Sequence, residues 1–194
     1  MDLKQRVYSI LIVSAGEKFN TSLKELFLDF KYHPIRFESS ISAAKRALLE
    51  REYDFVAINA PLSDGDGVRF AIDICTGKNS VVLLLVRREL YNAIFDKVSP
   101  HGVYTLPKPI SKQIVTHALD WMASTRERLR KLEKKTISLE DKMQEIRIVN
   151  RAKWILIAEL KMTESDAHRY IEKQAMDRCV SKREFAESII KTYS

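Results

Sequence analysis

Residues 54–67 read DFVAINAPLSDGDG, a short apolar run followed at once by a loop rich in glycine and aspartate. Such a run is typical of a strand that is buried on both faces of a sheet. Comparable runs stand on either side of it, VYSILIVSA at 7–15 and SVVLLLV at 80–86. Residues 54–60 are therefore predicted to be one strand of a largely buried parallel sheet.

Strands and helices alternate along the chain on both sides of this strand. The predicted strands cover 7–15, 33–40, 54–60, 80–86 and 103–109, and the predicted helices cover 20–32, 41–52, 67–77, 88–99 and a stretch that begins near Ile110 or Ser111. Ser39 or Ser40 can cap the second helix. Five βα units of this length predict an α/β fold with a doubly wound sheet. Ligands of such sheets bind at the carboxyl ends of the strands.

The order of these elements, the loop from Asn59 to Gly67 and the pair Lys108–Pro109 resemble a response-regulator receiver domain over roughly residues 6–123. The resemblance implies a flavodoxin-like (βα)5 fold. Receivers have an acidic pair after strand one, a phospho-accepting aspartate ending strand three, a Thr or Ser ending strand four and a Lys ending strand five. In this chain these positions fall on Ser14 and Ala15, on Asn59, on or next to Leu85, and on Lys108.

This set lacks the carboxylates that the chemistry of receivers requires. Mg²⁺ binds oxygen ligands that usually carry charge, and Ser14, Ala15 and Asn59 supply no carboxylate. An amide nitrogen is not a useful phosphoryl acceptor, so aspartyl phosphorylation at Asn59 is excluded. We therefore expect a degenerate receiver in which Lys108 bonds Asn59 or a nearby carbonyl, and which has a regulatory protein as a candidate partner. Asp64, in the loop, is interpreted together with Asp66 as turn-forming.

Residues 122–150 are highly charged and contain neither Gly nor Pro. The 3-4 spacing of coiled-coil a and d positions is followed by Leu129, Leu132, Thr136, Leu139, Met143, Ile146 and Asn150. This pattern predicts a parallel two-stranded coiled coil, and hence a homodimer held through Leu129, Leu132, Leu139, Met143 and Ile146. The alternative is one long helix that packs this apolar stripe on its own chain.

Residues 147–194 are predicted to form three amphipathic helices, the first of which continues the preceding helix. Thr163–Asp166 and Ser181–Glu184 match the capping-box pattern that begins a helix. The chain has a net charge of +7, and this segment has its highest basic excess per residue. A basic helical segment is compatible with nucleic acid as a partner.

The same segment resembles an ANTAR domain, the RNA-binding antiterminator module of bacterial regulators, over residues 140–192. The likeness rests on Arg151–Lys153, on Ala167 and Tyr170, and on Gln174–Asp177, which contains an Ala-Met-Asp signature. It implies a dimer that binds two adjacent RNA stem-loops with hexanucleotide loops in a leader transcript, so that an overlapping terminator hairpin does not form. The candidate RNA-contacting residues are Arg151, Lys153, Arg169, Lys173, Arg178, Lys182 and Arg183, with His168 and Tyr170 as candidates for base stacking.

Several of these residues have a structural alternative. Each Lys or Arg can belong to a solvated helix face, and Tyr170 can belong to the core because it shares a face with Ala167 and Ile171. Trp154 stands where the family often has a small residue, and we expect it to pack in the core or in a dimer interface. Cys75 and Cys179 are interpreted as reduced, mostly buried thiols of a cytoplasmic protein.

The expected organisation is a degenerate receiver at 1–123, a coiled-coil linker helix at 124–146 and a three-helix ANTAR domain at 147–194. No apolar run is long enough for a transmembrane helix, so no membrane association is expected. The sequence has no catalytic triad pattern, Gly-rich phosphate loop, paired-carboxylate site or metal-ligand spacing, so neither an enzyme nor a cofactor or metal is expected. The alternatives to an RNA-binding antiterminator are a DNA-binding response regulator and a protein-interaction adaptor.

Overall fold

The chain divides into two compact units, Met1–Arg130 and Lys131–Ser194. The structure, a computed structural model, describes residues 6–27, 31–77 and 79–193. The N-terminal unit contains a sheet flanked by helices, and the C-terminal unit is helical.

Five parallel strands form the sheet of the N-terminal unit, in the order β2-β1-β3-β4-β5. The elements of the unit are β1 (Tyr8–Val13), α1 (Glu17–Leu26), β2 (Tyr32–Glu38), α2 (Ile41–Glu50), β3 (Phe55–Asn59), α3 (Val68–Gly77), β4 (Val81–Arg87), α4 (Tyr91–Val98), β5 (Tyr104–Lys108) and the first part of α5 (Lys112–Leu160). This is the strand order of flavodoxin-like folds, so the predicted fold class is confirmed.

Apolar side chains cover both faces of this sheet, as the continuous apolar runs of its strands predict. On one face, α2, α3 and α4 pack over alternate strand residues such as Val56, Ile58 and Leu84. On the other face, α1 and α5 pack over the intervening residues, such as Phe55 and Leu83. The sheet is thus enclosed, and only the ends of its strands are left to form a site.

Some predicted boundaries need correction. The first helix was expected at 20–32, but α1 begins at Glu17 and ends at Leu26, and Tyr32 already belongs to β2; residues 28–30 lie outside the described part of the chain. Phe27 and Tyr32 are buried although neither is helical, which explains why apolar spacing alone extended the prediction. The helix expected at 88–99 starts instead with a 3₁₀ turn at Arg88–Leu90, followed by α4.

The helix α5 continues past the end of the N-terminal unit and runs for 49 residues to Leu160. In the C-terminal unit it is followed by α6 (Glu164–Asp177) and α7 (Lys182–Tyr193). The three helices share one small core that includes Ala152, Leu156 and Ile171. Because helices as short as α6 and α7 are marginal alone, this shared core stabilises them.

Both predicted capping boxes are present. Thr163 Oγ1 accepts a hydrogen bond from the backbone N–H of Asp166 at 3.1 Å. Ser181 Oγ accepts from the N–H of Glu184 at 3.1 Å, and the Glu184 carboxylate accepts from the N–H of Ser181 at 2.8 Å. The α7 box is therefore fully reciprocal. Ser40 caps α2 in the same way, through the N–H of Ala43 at 3.2 Å.

Within the described residues, no helix combines the length and the apolar character that crossing a membrane would need.

Candidate functional site

The carboxyl ends of β1, β3 and β5 bring three of the predicted receiver positions into contact. Asn59 Nδ2 donates to Ser14 Oγ at 3.0 Å, and Lys108 Nζ donates to Asn59 Oδ1 at 2.8 Å. Lys108 Nζ also donates to the carbonyl of Ala60. The expected contact of Lys108 with Asn59 and a carbonyl is confirmed. Ala15, exposed at the end of β1, contributes no acidic group.

The position that ends strand four moves from Leu85 to Arg87. Leu85 is 2% exposed and packs in the core beneath α1 and α5. Side chains two residues apart on a strand lie on the same face, so Arg87 follows Leu85 on that face and is the last residue of β4. Arg87 is paired in register with Lys108. A second cation therefore stands beside Lys108 at the end of β4.

The electrostatics of this pocket are those of a cationic site. Burial of Lys108 lowers the pKa of its ammonium group, and the positive charge of Arg87 lowers it further. Lys108 donates to an amide and a carbonyl oxygen, both neutral. Across the described ranges, no cluster of three or more His, Cys, Asp or Glu is placed to hold a metal ion. At this edge of the sheet, the side chains of Ser14, Ala15 and Asn59 supply no carboxylate.

The aspartates of the β3–α3 loop accept hydrogen bonds from backbone N–H groups at the starts of two helices. The carboxylate of Asp64 accepts from the backbone N–H groups of Ile41 at 2.8 Å and Ser42 at 2.9 Å, at the beginning of α2. These hydrogen bonds lower the pKa of Asp64. Asp66 accepts from the N–H of Val68, the first residue of α3, at 3.0 Å. Both aspartates stabilise helix N-termini, which extends their interpretation as turn residues.

An ion-pair network that sequence reasoning missed attaches α5 to the opposite end of the sheet. Asp54 accepts from Arg126 Nε at 2.9 Å and from Arg130 at 2.7 Å. Glu127, also buried, accepts from Arg130 at 2.8 Å and forms an ion pair with Arg6. Asp54 is far in the sequence from its partners on α5. The charged residues of α5 have the pattern of an ordinary solvated helix face, so no local sequence pattern indicates the network.

The predicted coiled-coil positions split into two groups. Leu129 packs partly against the core of the N-terminal unit. The other four positions are each at least half exposed: Leu132, Leu139, Met143 and Ile146. In the structure Leu129 packs on its own chain, whereas the stripe from Leu132 to Ile146 is exposed, and the choice between the coiled coil and its alternative stays a prediction. An exposed apolar stripe at heptad spacing remains available for a second helix.

Three of the predicted RNA-contacting residues line one groove formed by α6 and α7. Arg169, Lys173 and Lys182 surround an open cavity of about 560 Å³, which is also lined by Glu172, Ala175, Met176 and Val180. Met176 is 74% exposed, an unusual position for an apolar residue. We call this surface, with these seven residues, the basic groove.

The spacing of residues in α6 explains the composition of the basic groove. Arg169, Lys173 and Met176 follow one another at four and three residues, so they share one helix face. Ala167 and Ile171 lie on the opposite face, buried in the shared core. Met176 could have been found from the sequence, because the helical spacing places it among basic residues and away from the core.

The sequence of this unit matches a known domain. The profile of the ANTAR domain matches residues 138–190, which include the last turns of α5, all of α6 and most of α7. The C-terminal helices are an ANTAR domain.

A curated relative that matches most of the chain is a transcriptional regulatory protein. The chain is 24% identical over 139 residues to the transcriptional regulatory protein PdtaR of Mycobacterium tuberculosis, a match that covers 72% of this chain and 68% of PdtaR. The N-terminal unit resembles solved receiver domains. One is the signal receiver domain of an HD domain-containing protein from Pseudomonas fluorescens, with a TM-score of 0.58, 25% identity and coverage of 66% of this chain and 94% of that one.

A second receiver neighbour is the non-phosphorylated HemR receiver domain of Leptospira biflexa. It has a TM-score of 0.54 and 24% identity, and the match covers 60% of this chain and 94% of that one. The N-terminal unit therefore has a receiver-like fold. The chain thus combines a receiver-like N-terminal unit with a match to the ANTAR domain at residues 138–190, and it is similar to PdtaR, a transcriptional regulatory protein.

Other predicted contact residues of the ANTAR domain are engaged within the chain. Lys153 forms an ion pair with Glu164 at 3.1 Å, and Arg183 forms one with Glu187 at 2.9 Å. His168 Nε2 lies 3.3 Å from the Glu172 carboxylate. An RNA phosphate would compete with these carboxylates, as it would with Glu172 for Lys182, and the three residues lie outside the lining of the basic groove.

The remaining candidates differ in exposure. Arg151 is exposed on α5, and the Arg178 guanidinium lies 4.9 Å from the centre of the Phe185 ring. Tyr170 is 37% exposed, with its ring 6.1 Å from that of Phe185, so it is only partly a core residue. Trp154 is 69% exposed, so of the two expected places, the core and a dimer interface, the core is wrong and the dimer interface stays a prediction.

The cysteines also differ. Cys75 is partly buried, and burial raises the pKa of its thiol to about 11. Cys179 is exposed in the α6–α7 connection with a φ of 53°, so the expectation of two mostly buried thiols is wrong for Cys179. Its αL conformation follows the end of α6, where the chain turns towards α7.

Proposed function

We propose that the protein is an RNA-binding transcription antiterminator that acts as a dimer and binds a pair of stem-loops in a leader transcript. The observation that carries this proposal is the ANTAR domain with Arg169, Lys173 and Lys182 gathered around one groove. The groove combines positive charge with an exposed apolar surface, which is the combination that single-stranded nucleic acid requires.

RNA loops fit this groove better than RNA duplexes do. The bases of an A-form stem are hidden in a deep and narrow groove, whereas the bases of a loop are unstacked and can be contacted directly. Met176 supplies an apolar surface for the face of one base, while Arg169 and Lys173 on the same side of α6 can neutralise the adjoining phosphates. Tyr170 and His168 are the aromatic candidates for a further base, and Arg151, Lys153, Arg178 and Arg183 are outlying candidates for the backbone.

Glu172 has a particular place in the basic groove. Its carboxylate bonds Lys182 and lies near His168, and the hydrogen bond from Lys182 lowers the pKa of Glu172. The carboxylate therefore holds Lys182 in position while it reduces the net positive charge of the groove. RNA binding would transfer Lys182 from Glu172 to a phosphate.

Dimerisation would bring two such grooves together. The exposed stripe Leu132, Leu139, Met143 and Ile146 has the spacing of a parallel coiled coil. Asn150 continues the stripe, and Trp154 follows four residues later on the same side of α5. A two-fold symmetric pair of ANTAR domains would naturally bind two similar loops.

The receiver-like unit would not be switched by aspartyl phosphorylation. Asn59 stands at the acceptor position and is already bonded to Ser14 and Lys108. Intact-mass analysis after incubation with acetyl phosphate and Mg²⁺ tests this directly. A stoichiometric gain of one phosphoryl group would refute it.

The proposal is tested by gel shift with the full-length protein and a leader RNA that contains two hexaloop hairpins. The comparison substrates are a single hairpin and promoter DNA. We expect the two-hairpin RNA to bind most tightly and, in transcription reactions in vitro, to give more read-through when the protein is present. Tight DNA binding without RNA binding would instead favour a DNA-binding regulator.

Variants test whether RNA binds in the basic groove. Lys173→Ala is expected to weaken RNA binding and to lower the salt dependence by about one phosphate contact. Lys191→Ala removes the same charge from an exposed position on α7 outside the groove and is the matched control. Glu172→Gln is expected to strengthen binding at low salt, because it removes a negative charge from the groove. Equal losses for Lys173→Ala and Lys191→Ala would show that the contact is non-specific.

A further inference from the structure

A second cavity lies in the receiver-like unit at the carboxyl ends of β3 and β4. Its volume is about 300 Å³, and its lining is mostly apolar, from Ala60, Pro61, Val86, Leu90 and Ile94. We call it the β3–β4 cavity. Its size is at the lower end of the range of small-molecule sites, about 300–1,000 Å³. Its place at the carboxyl ends of parallel strands is where α/β sheets bind ligands.

Two cations stand beside this cavity. Arg87 is part of its lining. Lys108 is paired in register with Arg87 and bonds the carbonyl of Ala60, which is another lining residue. Among the residues that the structure describes, neither Arg87 nor Lys108 forms an ion pair with a carboxylate. Within the described ranges, the positive charge at this edge of the sheet is therefore not paired with a carboxylate.

The one carboxylate in the lining is that of Asp66, and within the described part of the chain it forms no ion pair with Arg87 or Lys108. Asp66 accepts a hydrogen bond from the backbone N–H of Val68 at 3.0 Å and so belongs to the start of α3. The nearby polar partners of Lys108 are the amide oxygen of Asn59 and the carbonyl of Ala60, and both are neutral. An anion from outside the chain would supply the missing charge.

We propose that the β3–β4 cavity binds a small amphipathic anion, with its carboxylate or phosphate group at Arg87 and its short apolar tail among Pro61, Leu90 and Ile94. The anionic group pairs with the Arg87 guanidinium, which can form two parallel hydrogen bonds to either oxyanion. Lys108 adds a second positive charge from the neighbouring strand. The tail contributes by the removal of apolar surface from water.

This site depends on the receiver-like unit alone and does not rest on RNA binding by the ANTAR domain. Through this site, a degenerate receiver would bind a ligand instead of accepting a phosphoryl group. Carboxylates and phosphate esters share the required chemistry, and the choice between them is an outcome of the experiment.

The experiment is a titration of the full-length protein followed by amide NMR shifts of residues 60, 86 and 87. The probes are octanoate and octyl phosphate, with octanol, acetate and inorganic phosphate as references that lack either the charge or the tail. We expect saturable shifts with one or both of the amphipathic anions, and affinity at least about tenfold lower for octanol and for acetate. The better of the two amphipathic anions identifies the head group.

Three variants test whether the amphipathic anion binds in the β3–β4 cavity. Arg87→Ala is expected to weaken binding of the amphipathic anion by about tenfold, the loss of one charge-assisted pair. Arg88→Ala, which removes the next arginine from outside the lining, is the matched control and should bind as the wild type does. Leu90→Trp narrows the cavity from a half-exposed position, so a loss of binding in this variant can be separated from misfolding by circular dichroism.

Three results would overturn the proposal. The first is the absence of saturable shifts at residues 60, 86 and 87 with either amphipathic anion. The second is that octanol binds as tightly as octanoate, which would show that the anionic group does not contribute to binding. The third is an equal effect of Arg87→Ala and Arg88→Ala, which would place the anion elsewhere.

Discussion

Replacing Asp54 by asparagine is expected to destabilise the N-terminal unit by about 2–3 kcal/mol. The Asp54 carboxylate is 13% exposed and bonds two guanidinium groups, those of Arg126 and Arg130. It also accepts from the backbone N–H of Ser9 at 3.0 Å. The substitution keeps the shape of the side chain and removes its charge.

The expected loss of stability follows from the two guanidinium groups, those of Arg126 and Arg130, that lose their carboxylate partner. Removing one partner of a buried ion pair costs about 3–5 kcal/mol, because the other charge stays buried. Arg130 is a quarter exposed, so water can solvate it in part. The asparagine oxygen can still accept one hydrogen bond. Both effects bring the cost down to about 2–3 kcal/mol, which lowers the melting temperature by roughly 6–12 °C for a unit of this size.

The stabilisation that Asp54 contributes decreases as the pH falls. Burial alone would raise the pKa of Asp54, but the Ser9 N–H and the charges of Arg126 and Arg130 outweigh it, and the pKa is lowered. The carboxylate therefore stabilises the fold fully above its unfolded-state pKa of about 4, and this contribution is lost as the pH falls further. The difference between wild type and Asp54→Asn should be largest near neutral pH and should shrink below about pH 4.

The assay is urea unfolding with hydrogen exchange measured by mass spectrometry, because the two units need not unfold together. Loss of protection in β1 and β3 at lower urea is expected for Asp54→Asn. The matched control is Asp96→Asn, an exposed aspartate on α4, with a change within about 0.5 kcal/mol. If the two variants unfold at the same urea concentration, the network does not stabilise the unit and the reasoning is refuted.

Three further predictions concern the dimer, the second capping box and the thiols. Ile146→Lys should convert a dimer to a 22.5 kDa monomer in sedimentation velocity, while Ile137→Lys, exposed but outside the heptad positions, should not; a dimer that survives both would contradict the coiled coil. Ser181→Ala should destabilise the C-terminal unit by about 1 kcal/mol in urea unfolding, since it removes a helix cap; an unchanged midpoint would show that the cap is dispensable. Alkylation near pH 8 should modify exposed Cys179 well before Cys75, whose pKa is raised to about 11, as peptide mass mapping would show; equal rates would refute the assigned burial.

The sheet and its degenerate pocket could be predicted because their signals are local. The apolar runs identified each strand, and the ends of parallel strands meet at one edge of the sheet, so the contact of Asn59 with Lys108 followed from their positions. The fourth strand was predicted to end at residue 86 but ends at Arg87, because an unbroken apolar run does not mark where a strand ends. The same limitation affected α1, where buried Phe27 continued a helical spacing beyond the helix.

Exposure was harder to predict than secondary structure. Trp154 and Met176 are apolar but exposed, since the core faces of α5 and α6 are occupied by smaller residues such as Ala152 and Ala167. Cys179 lies in the connection after α6 and not in the core. For Trp154 and Cys179 the position depends on how three helices pack, whereas the helical spacing of α6 already places Met176 on the face opposite Ala167.

The sequence by itself determined the alternation of strands and helices, the absence of an acceptor carboxylate at position 59, the heptad stripe and the two capping boxes. These features depend on residues close together in the chain, where backbone geometry relates spacing directly to structure. Only the tertiary structure decided that Arg87 stands beside Lys108, that Asp54 holds Arg126 and Arg130, and which basic residues surround the groove. Those contacts join residues that are far apart in the chain, and their partners are selected by the packing of whole elements.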